Sequence, residues 1–222
     1  MIDEEGPTTR KELLTRAKDL AGYSLGDLAS AIGEDTPESL GRAKGWVGRL
    51  LERSLGADGG NYAGPDFREL AIELKTLPVD RKGQVKESTY VCTVDLMGEE
   101  ISWEASRARA KLKTVLWIPI EVGSAVPIKD RRVGSPLLWS PSAKQEKLLE
   151  ADWTFLMDLI RRGLVDEISG RDGRILQIRP KAANARKGTG TLDEEGNWTM
   201  TLPRGFYLRA RFTESLLRTY AL

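Results

Sequence analysis

Two carboxylates and an amine fall close together in PDFRELAIELKTL, residues 65–77. Six residues separate Asp66 from Glu73 and one separates Glu73 from Lys75, giving D-x6-E-x-K. Side chains alternate along a strand, so Glu73 and Lys75 project from one face and Leu70, Ile72 and Leu74 from the other. A half-buried pair of opposite charges is costly unless something compensates it. Metal chemistry is one such compensation. Asp66, in the turn entering the strand, and Glu73, within it, can converge on one cation together with the backbone carbonyl of Leu74. Oxygen donors of this kind suit Mg²⁺. The ion polarises a phosphodiester and lowers the pKa of bound water. Lys75 can orient or help deprotonate that water and can stabilise charge developing on the phosphorane. The same residues also fit a plain strand with an exposed ion pair, worth about 0–1 kcal/mol.

Composition narrows the choice. The 222 residues contain no histidine and one cysteine, Cys92. Ser-His-Asp and Cys-His catalysis are excluded, and a structural zinc site has no ligand set. A lone cysteine forms no internal disulfide, and a reducing, cytoplasmic setting is expected. Forty per cent of the residues are hydrophobic, enough for a sizeable core, yet no run approaches the length of a membrane span. The start, MIDEEGPTTRKELL, has no signal-peptide core. The net charge of +1 hides an asymmetry. Residues 1–60 hold eleven acidic and eight basic residues, whereas residues 171–222 hold ten basic and five acidic. A basic C-terminal part suits a polyanion and also suits a solvated surface.

The elements that must position the motif follow from periodicity. Thr9 with Glu12 is a capping box that opens a helix ending at Gly22. Ser24 with Asp27 opens a second, Thr36-Pro37 a third, and a helix over Trp46–Leu55 is closed by Gly56. The motif strand is expected over Glu69–Leu77. A turn at Asp80–Gly83 then leads to a strand in STYVCTVDL, and the two read as an antiparallel hairpin. VLWIPIEV, residues 115–122, is a continuous apolar run and a central strand. Residues 131–141 read as irregular, and Ser142–Arg162 is the clearest helix. VDEISGRDGRILQIRP reads as a hairpin turning at Arg171–Gly173. A loop over 182–197 leads to strands in WTMTL and GFYL, and Thr213 caps a last helix. The expected fold class is mixed α/β, with helices around a mostly antiparallel or mixed sheet.

Longer stretches carry a resemblance. PDFRELAIELKTLPVD, KGWVGRLLERSLGA before it, WIPIEVGSAVPIKDRRVGSPLLWSP after it, and LQIRPKAANA and LPRGFYL near the C-terminus together resemble the MutH family of methyl-directed mismatch-repair endonucleases. The resemblance runs in order from about Leu14 to Leu217. It implies a restriction-endonuclease-like, PD-(D/E)xK fold, with a central mixed sheet flanked by helices and two arms around a DNA cleft. One endonuclease domain over 1–222 is expected, with a catalytic arm over about 1–125 and a recognition arm over about 126–222. It also implies Mg²⁺-dependent nicking of the unmethylated strand at hemimethylated GATC sites by a monomer. MutL would activate the protein, and MutS would act indirectly.

By the same resemblance, Asp66 and Glu73 match metal-binding carboxylates, Lys75 the catalytic lysine, Glu52 a further active-site carboxylate, and Lys111 a lysine near the scissile phosphate. Lys44 and Gly45 match a loop at the DNA surface. Arg179, Pro180, Lys181 and Tyr207 match the residues that read sequence and methylation. An arginine can bind guanine O6 and N7 with both nitrogens. Pro180 and Tyr207 can wall the adenine amino group, which senses methylation by shape. Arg186, Lys187, Arg204 and Arg209 would serve phosphates. The residues alone leave other readings open. Glu52 also reads as a solvated helix position and Tyr207 as a core aromatic. Lys44-Gly45 also reads as an interhelical turn, and Lys111 as one member of a phosphate patch with Arg107, Arg109 and Lys113. Two other functions fit as well: a GATC restriction endonuclease cutting both strands, and a sequence-specific DNA-binding module without catalysis.

Overall fold

Three serine or threonine side chains set the main helices. Thr9, Ser24 and Ser142 each accept a hydrogen bond from the backbone N–H three residues on, and Ser24 and Ser142 complete full capping boxes with Asp27 and Gln145. A computed structural model describes residues 6–41, 43, 45–57, 64–123, 125–181 and 188–220. The elements in chain order are α1 (Arg10–Asp19), α2 (Leu25–Ala31), α3 (Trp46–Ser54), β1 (Glu73–Val79), β2 (Thr89–Thr93), α4 (Arg107–Leu112), β3 (Val115–Glu121), β4 (Leu137–Trp139), α5 (Ala143–Arg161), β5 (Leu176–Pro180), β6 (Thr189–Leu192), β7 (Trp198–Thr201), β8 (Arg204–Leu208) and α6 (Ala210–Tyr220). The class is mixed α/β, as expected. Among the described residues no helix is long and apolar enough to cross a membrane.

The chain forms two compact units. The first takes Met1–Glu87, Thr114–Ser140 and Glu214–Leu222, and the second takes Ser88–Lys113 and Pro141–Thr213. The division therefore does not fall at a single point near residue 125.

In the first unit a three-stranded mixed sheet has the order β1-β3-β4, with β1 parallel and β4 antiparallel to β3. The continuous apolar run thus sits centrally, and Val115, Leu116, Trp117 and Ile118 are fully buried. Leu50 and Leu51 of α3 and Leu13 and Ala17 of α1 close one core with Ile72, Leu74, Leu116 and Ile118. At about 1.5–3 kcal/mol per fully buried large apolar side chain, this cluster dominates the unit's stability.

In the second unit β2-β8-β5 is an antiparallel sheet, and β6 and β7 form a separate hairpin. Leu176, Ile178, Phe206 and Leu208 are buried together with the apolar stripe of α5, Leu149, Trp153, Leu156, Met157 and Ile160.

Several expectations are corrected. β1 begins at Glu73, because residues 68–71 form a tight turn. β1 and β2 are not a hairpin. The chain does fold back after Asp80, with a bridge between Val79 and Val85, but Thr89–Thr93 pairs with β8 instead. Periodicity reveals a strand's faces and not its distant partner. Among the described residues no helix opens at Thr36-Pro37 before α3. Leu137–Trp139 is a strand inside the stretch expected to be irregular. Val165–Ser169 forms no strand, because the chain there is taken up by turns that end only at Leu176. Thr189–Leu192 of the expected loop is a strand. The last helix starts at Ala210, ahead of Thr213.

Candidate active site and nucleic-acid interface

The motif is built by one turn and one strand edge. Phe67 and Ile72 exchange two backbone hydrogen bonds, 2.9 and 3.1 Å, across the turn that contains Ala71. Ala71 has φ of 53°, the only non-glycine residue with positive φ among the described residues. A side chain in that region costs about 1–2 kcal/mol, so the surrounding structure must impose it. The turn carries the chain from Asp66 straight into β1. The Asp66 carboxylate then accepts a hydrogen bond from the backbone N–H of Leu74 at 2.8 Å. Glu73 is anchored in turn by its own N–H, which donates to the carbonyl of Thr114 at 3.0 Å.

Glu73 is only 2% exposed, and the Lys75 ammonium lies 2.6 Å from its carboxylate. The two therefore share a face, as the alternation requires. Glu73 is buried and Lys75 partly so, which answers the plain reading of an exposed ion pair. Burying a carboxylate and an ammonium costs several kcal/mol in desolvation, offset only by close geometry.

Glu52 projects from α3, which packs on β1. Its pKa is raised above the usual value, first by burial and then by the negative charges of Asp66 and Glu73, against opposing effects of Lys75 and Arg49. Glu52 is thus close enough to sense both motif carboxylates, and the solvated-position reading is set aside.

The donor set fits a hard cation. Asp66, Glu73 and the carbonyl of Leu74 offer oxygen only, and the crowding felt by Glu52 is the negative field that a divalent ion relieves. Among the described residues no group of three or more His, Cys, Asp or Glu stands ready to hold a metal. Mg²⁺ commonly uses one or two carboxylates and keeps several waters, so two carboxylates suffice.

Other assigned positions fall elsewhere. Gly45 is the N-cap of α3 with φ of 77°, a left-handed conformation that favours glycine. Lys44 lies outside the described residues, as do Arg186 and Lys187. Lys111 lies on α4 of the second unit. Of the alternative phosphate patch, Arg107 pairs with Glu100 and Arg109 with Glu146, at 2.9 and 2.8 Å.

Of the recognition residues, Arg179, Lys181 and Tyr207 fall on one face of the sheet β2-β8-β5, and Pro180 alternates to the other. Gln177, Arg179 and Lys181 alternate along the chain from β5, with Gly205 and Tyr207 beside them on β8. The Arg179 guanidinium carbon lies 6.0 Å from the centre of the Tyr207 ring. Tyr207 meets Tyr90 edge-on at 5.4 Å. Tyr207 is half-buried, and burial followed by the neighbouring Tyr90 raises its pKa. It is therefore a wall of the open face, whereas Phe206 on the opposite side is the core aromatic. Pro180 ends β5 and is exposed.

Sequence reasoning missed Tyr90 and Thr93. Both receive the Lys181 ammonium at 3.0 Å, and that ammonium also sits 4.9 Å from the Tyr90 ring centre. The alternation of STYVCTVDL gives their faces, but the bulge between Tyr90 and Cys92 that brings Thr93 alongside has no sequence signal. Arg204 is a correction. It is 7% exposed and bound to Asp166 at 2.7 Å, so it is a structural pair and not a phosphate contact.

The chain as a whole is similar to known proteins. Residues 55–152 match the family model described as "DNA mismatch repair enzyme MutH". The chain is 50% identical over 217 residues to the DNA mismatch repair protein MutH of Escherichia coli strain K12, and equally to that of strain HS, serotype O9:H4. The same identity holds for the protein of Escherichia coli O157:H7, strain EC4115. Each match covers 97% of this chain and 95% of the relative. With half of its residues identical along nearly its whole length, this chain belongs to the MutH family of DNA mismatch-repair enzymes.

Proposed function

We propose that the protein is a Mg²⁺-dependent DNA endonuclease that nicks the unmethylated strand at hemimethylated GATC sites during mismatch repair. One observation carries this reading: the Glu73–Lys75 pair with Asp66 tied to the strand residue between them, in a chain half identical to MutH.

Asp66, Glu73 and the Leu74 carbonyl would hold the ion. When bound, Mg²⁺ supplies Lewis-acid polarisation of the phosphodiester and makes water more acidic. Lys75 holds an ammonium beside Glu73, in place to orient the attacking water and to neutralise charge on the pentacovalent phosphorus. Glu52, with its raised pKa, can hold or accept a proton at the edge of the cluster. Lys111 supplies a charge for the scissile phosphate. Arg179 reads guanine, and Pro180, Lys181 and Tyr207 shape the contact with the adenine amino group, while Lys44 and Gly45 approach the backbone. The family resemblance supports action as a monomer, activation by MutL and an indirect link to MutS.

The test is nicking of a supercoiled plasmid with one GATC site, in unmethylated, hemimethylated and fully methylated forms, with Glu73→Ala as control. Nicks confined to unmethylated strands, dependent on Mg²⁺ and absent in the control, are expected. Linearisation without regard to methylation would instead support a restriction enzyme. DNA binding without cleavage, even with MutL present, would leave a binding module.

A further inference from the structure

The second unit carries a pocket of about 710 Å³ lined by Ser88, Arg174, Gln177, Arg179, Arg209 and Arg211. Four arginines line it, and no aspartate or glutamate does. Among the described residues Arg174, Arg179, Arg209 and Arg211 form no ion pair with a carboxylate. Arg209 is held by main-chain oxygens, those of Gly173 and Asp172, at 2.9 Å each. Carbonyl groups fix its plane and leave its charge uncompensated.

The floor is rigid. Buried Asp152 accepts backbone hydrogen bonds from Arg174, Ile175 and Leu176 at 2.8, 2.7 and 2.9 Å. Gly173 closes the turn with φ of 77°, where a Cβ would lie 1.9 Å from the carbonyl oxygen of Leu176. Gln177 is 4% exposed and donates to Ser88 Oγ at 2.8 Å.

Like charges gathered around a stiff concavity repel one another, and an anion with several acceptor oxygens removes that cost. Guanidinium groups match phosphate geometry, two nitrogens to two oxygens. Arg179 belongs both to this pocket and to the face with Tyr207. A duplex lying on that face carries a phosphate every 3.4 Å or so along each strand.

We propose that this pocket is a phosphate site for the DNA backbone outside the base pairs that Arg179 and Tyr207 read, with Arg174 and Arg211 as its principal charges. The inference rests on the GATC-binding reading above. It assigns Arg174 and Arg211 a positioning role, since phosphate contacts set register and carry no sequence information.

The experiment measures binding of a GATC duplex and a scrambled duplex without divalent ions, from 50 to 200 mM salt, for the wild-type chain, Arg174→Gln/Arg211→Gln and Arg174→Lys/Arg211→Lys. For the glutamine pair, the slope of log K against log salt becomes shallower by about 0.9, the value for one phosphate contact. Its affinity deficit narrows about threefold across that range. The preference for GATC over the scrambled duplex stays unchanged, and the lysine pair keeps the wild-type slope.

An unchanged slope in the glutamine pair overturns the proposal. So does loss of GATC preference with the slope retained, which would make the two arginines base readers. Inorganic phosphate that raises the wild-type melting temperature but not the glutamine pair's, with DNA slopes equal, overturns it in favour of a free phosphate. Wild-type protein that binds GATC without preference and, assayed separately with Mg²⁺, never nicks sinks the parent reading, whereas wild-type protein that binds with preference and nicks with Mg²⁺ beside a glutamine pair of unaltered slope sinks this one alone.

Discussion

Asp66 and Leu74 are joined by a 2.8 Å hydrogen bond from the Leu74 N–H to the Asp66 carboxylate. The bond ties a turn residue to the one strand position lying between Glu73 and Lys75, so three functional groups are set by a single local closure. Asp66→Asn keeps an oxygen that can accept this bond and removes a charge, so it should leave the melting temperature nearly unchanged. Nicking should fall about 10³-fold, the equivalent of about 4 kcal/mol of metal-dependent stabilisation. Asp66→Ala should lose the same activity and also about 1 kcal/mol of stability. Equal melting temperatures for the two variants would show that the bond does not hold the turn.

Ala71 stores strain that the closure imposes. Its φ of 53° is open to glycine without penalty. Ala71→Gly should stabilise the fold by roughly 0.5–1 kcal/mol, the strain released less the added chain entropy of glycine. Ala71→Val should destabilise it by more than that. Denaturant unfolding of the three proteins checks both signs.

The motif was legible because it is local. Asp66, Glu73 and Lys75 lie within one turn and one strand, so spacing and alternation suffice to bring them together. Caps were legible for the same reason: Ser24 forms its box with Asp27 as read, and Thr9 caps its helix although the Glu12 carboxylate accepts from the Thr8 N–H and completes no box with Thr9. The partner of β2 was not, because the pairing of Tyr90 with Tyr207 joins distant segments and leaves no periodic trace. Arg204 was misread because a lone arginine beside a strand gives no sign of a distant aspartate such as Asp166. Glu52 could be placed only by resemblance, since helical spacing sets it off the buried face and says nothing of the carboxylates beyond.

Asp152 is a buried carboxylate doing structural work for the recognition strand. It satisfies three consecutive backbone N–H groups at the entrance to β5. Asp152→Ala strands those donors and should cost about 3 kcal/mol. For a chain of this size that corresponds to a fall in Tm of about 6–12 °C. Binding of GATC duplex should weaken even below the melting transition, because Arg174 and Arg179 flank the loosened segment. A calorimetric scan with a binding titration at low temperature tests the two effects separately.

The Arg179 guanidinium carbon lies 6.0 Å from the centre of the Tyr207 ring, on the same face of the sheet. Lysine keeps the charge and loses the fork. Arg179→Lys should therefore retain most affinity for scrambled duplex and lose about 1–3 kcal/mol of preference for GATC, or about 5- to 150-fold. Equal losses on both duplexes would reassign Arg179 to the backbone.

Glu52 gives the cluster a pH signature. Its folded pKa lies above its usual value of 4.5, chiefly through burial and then through Asp66 and Glu73. The folded state therefore holds the proton more tightly than the unfolded state. Stability is undiminished below about 4.5 and falls as pH rises from there through the folded pKa, because the carboxylate must then ionise beside two others. Glu52→Gln removes that cost, so the variant should melt higher than wild type at pH 7 in chelator. The difference should shrink to nothing as the pH approaches 4. Added Mg²⁺ stabilises whichever state binds it, so it should raise the wild-type Tm at pH 7 and narrow the gap to the variant. Thermal melts at three pH values, with and without the ion, decide the matter. A variant that melts lower than wild type at pH 7 in chelator would mean that Glu52 is held by attraction and stands apart from the other two carboxylates.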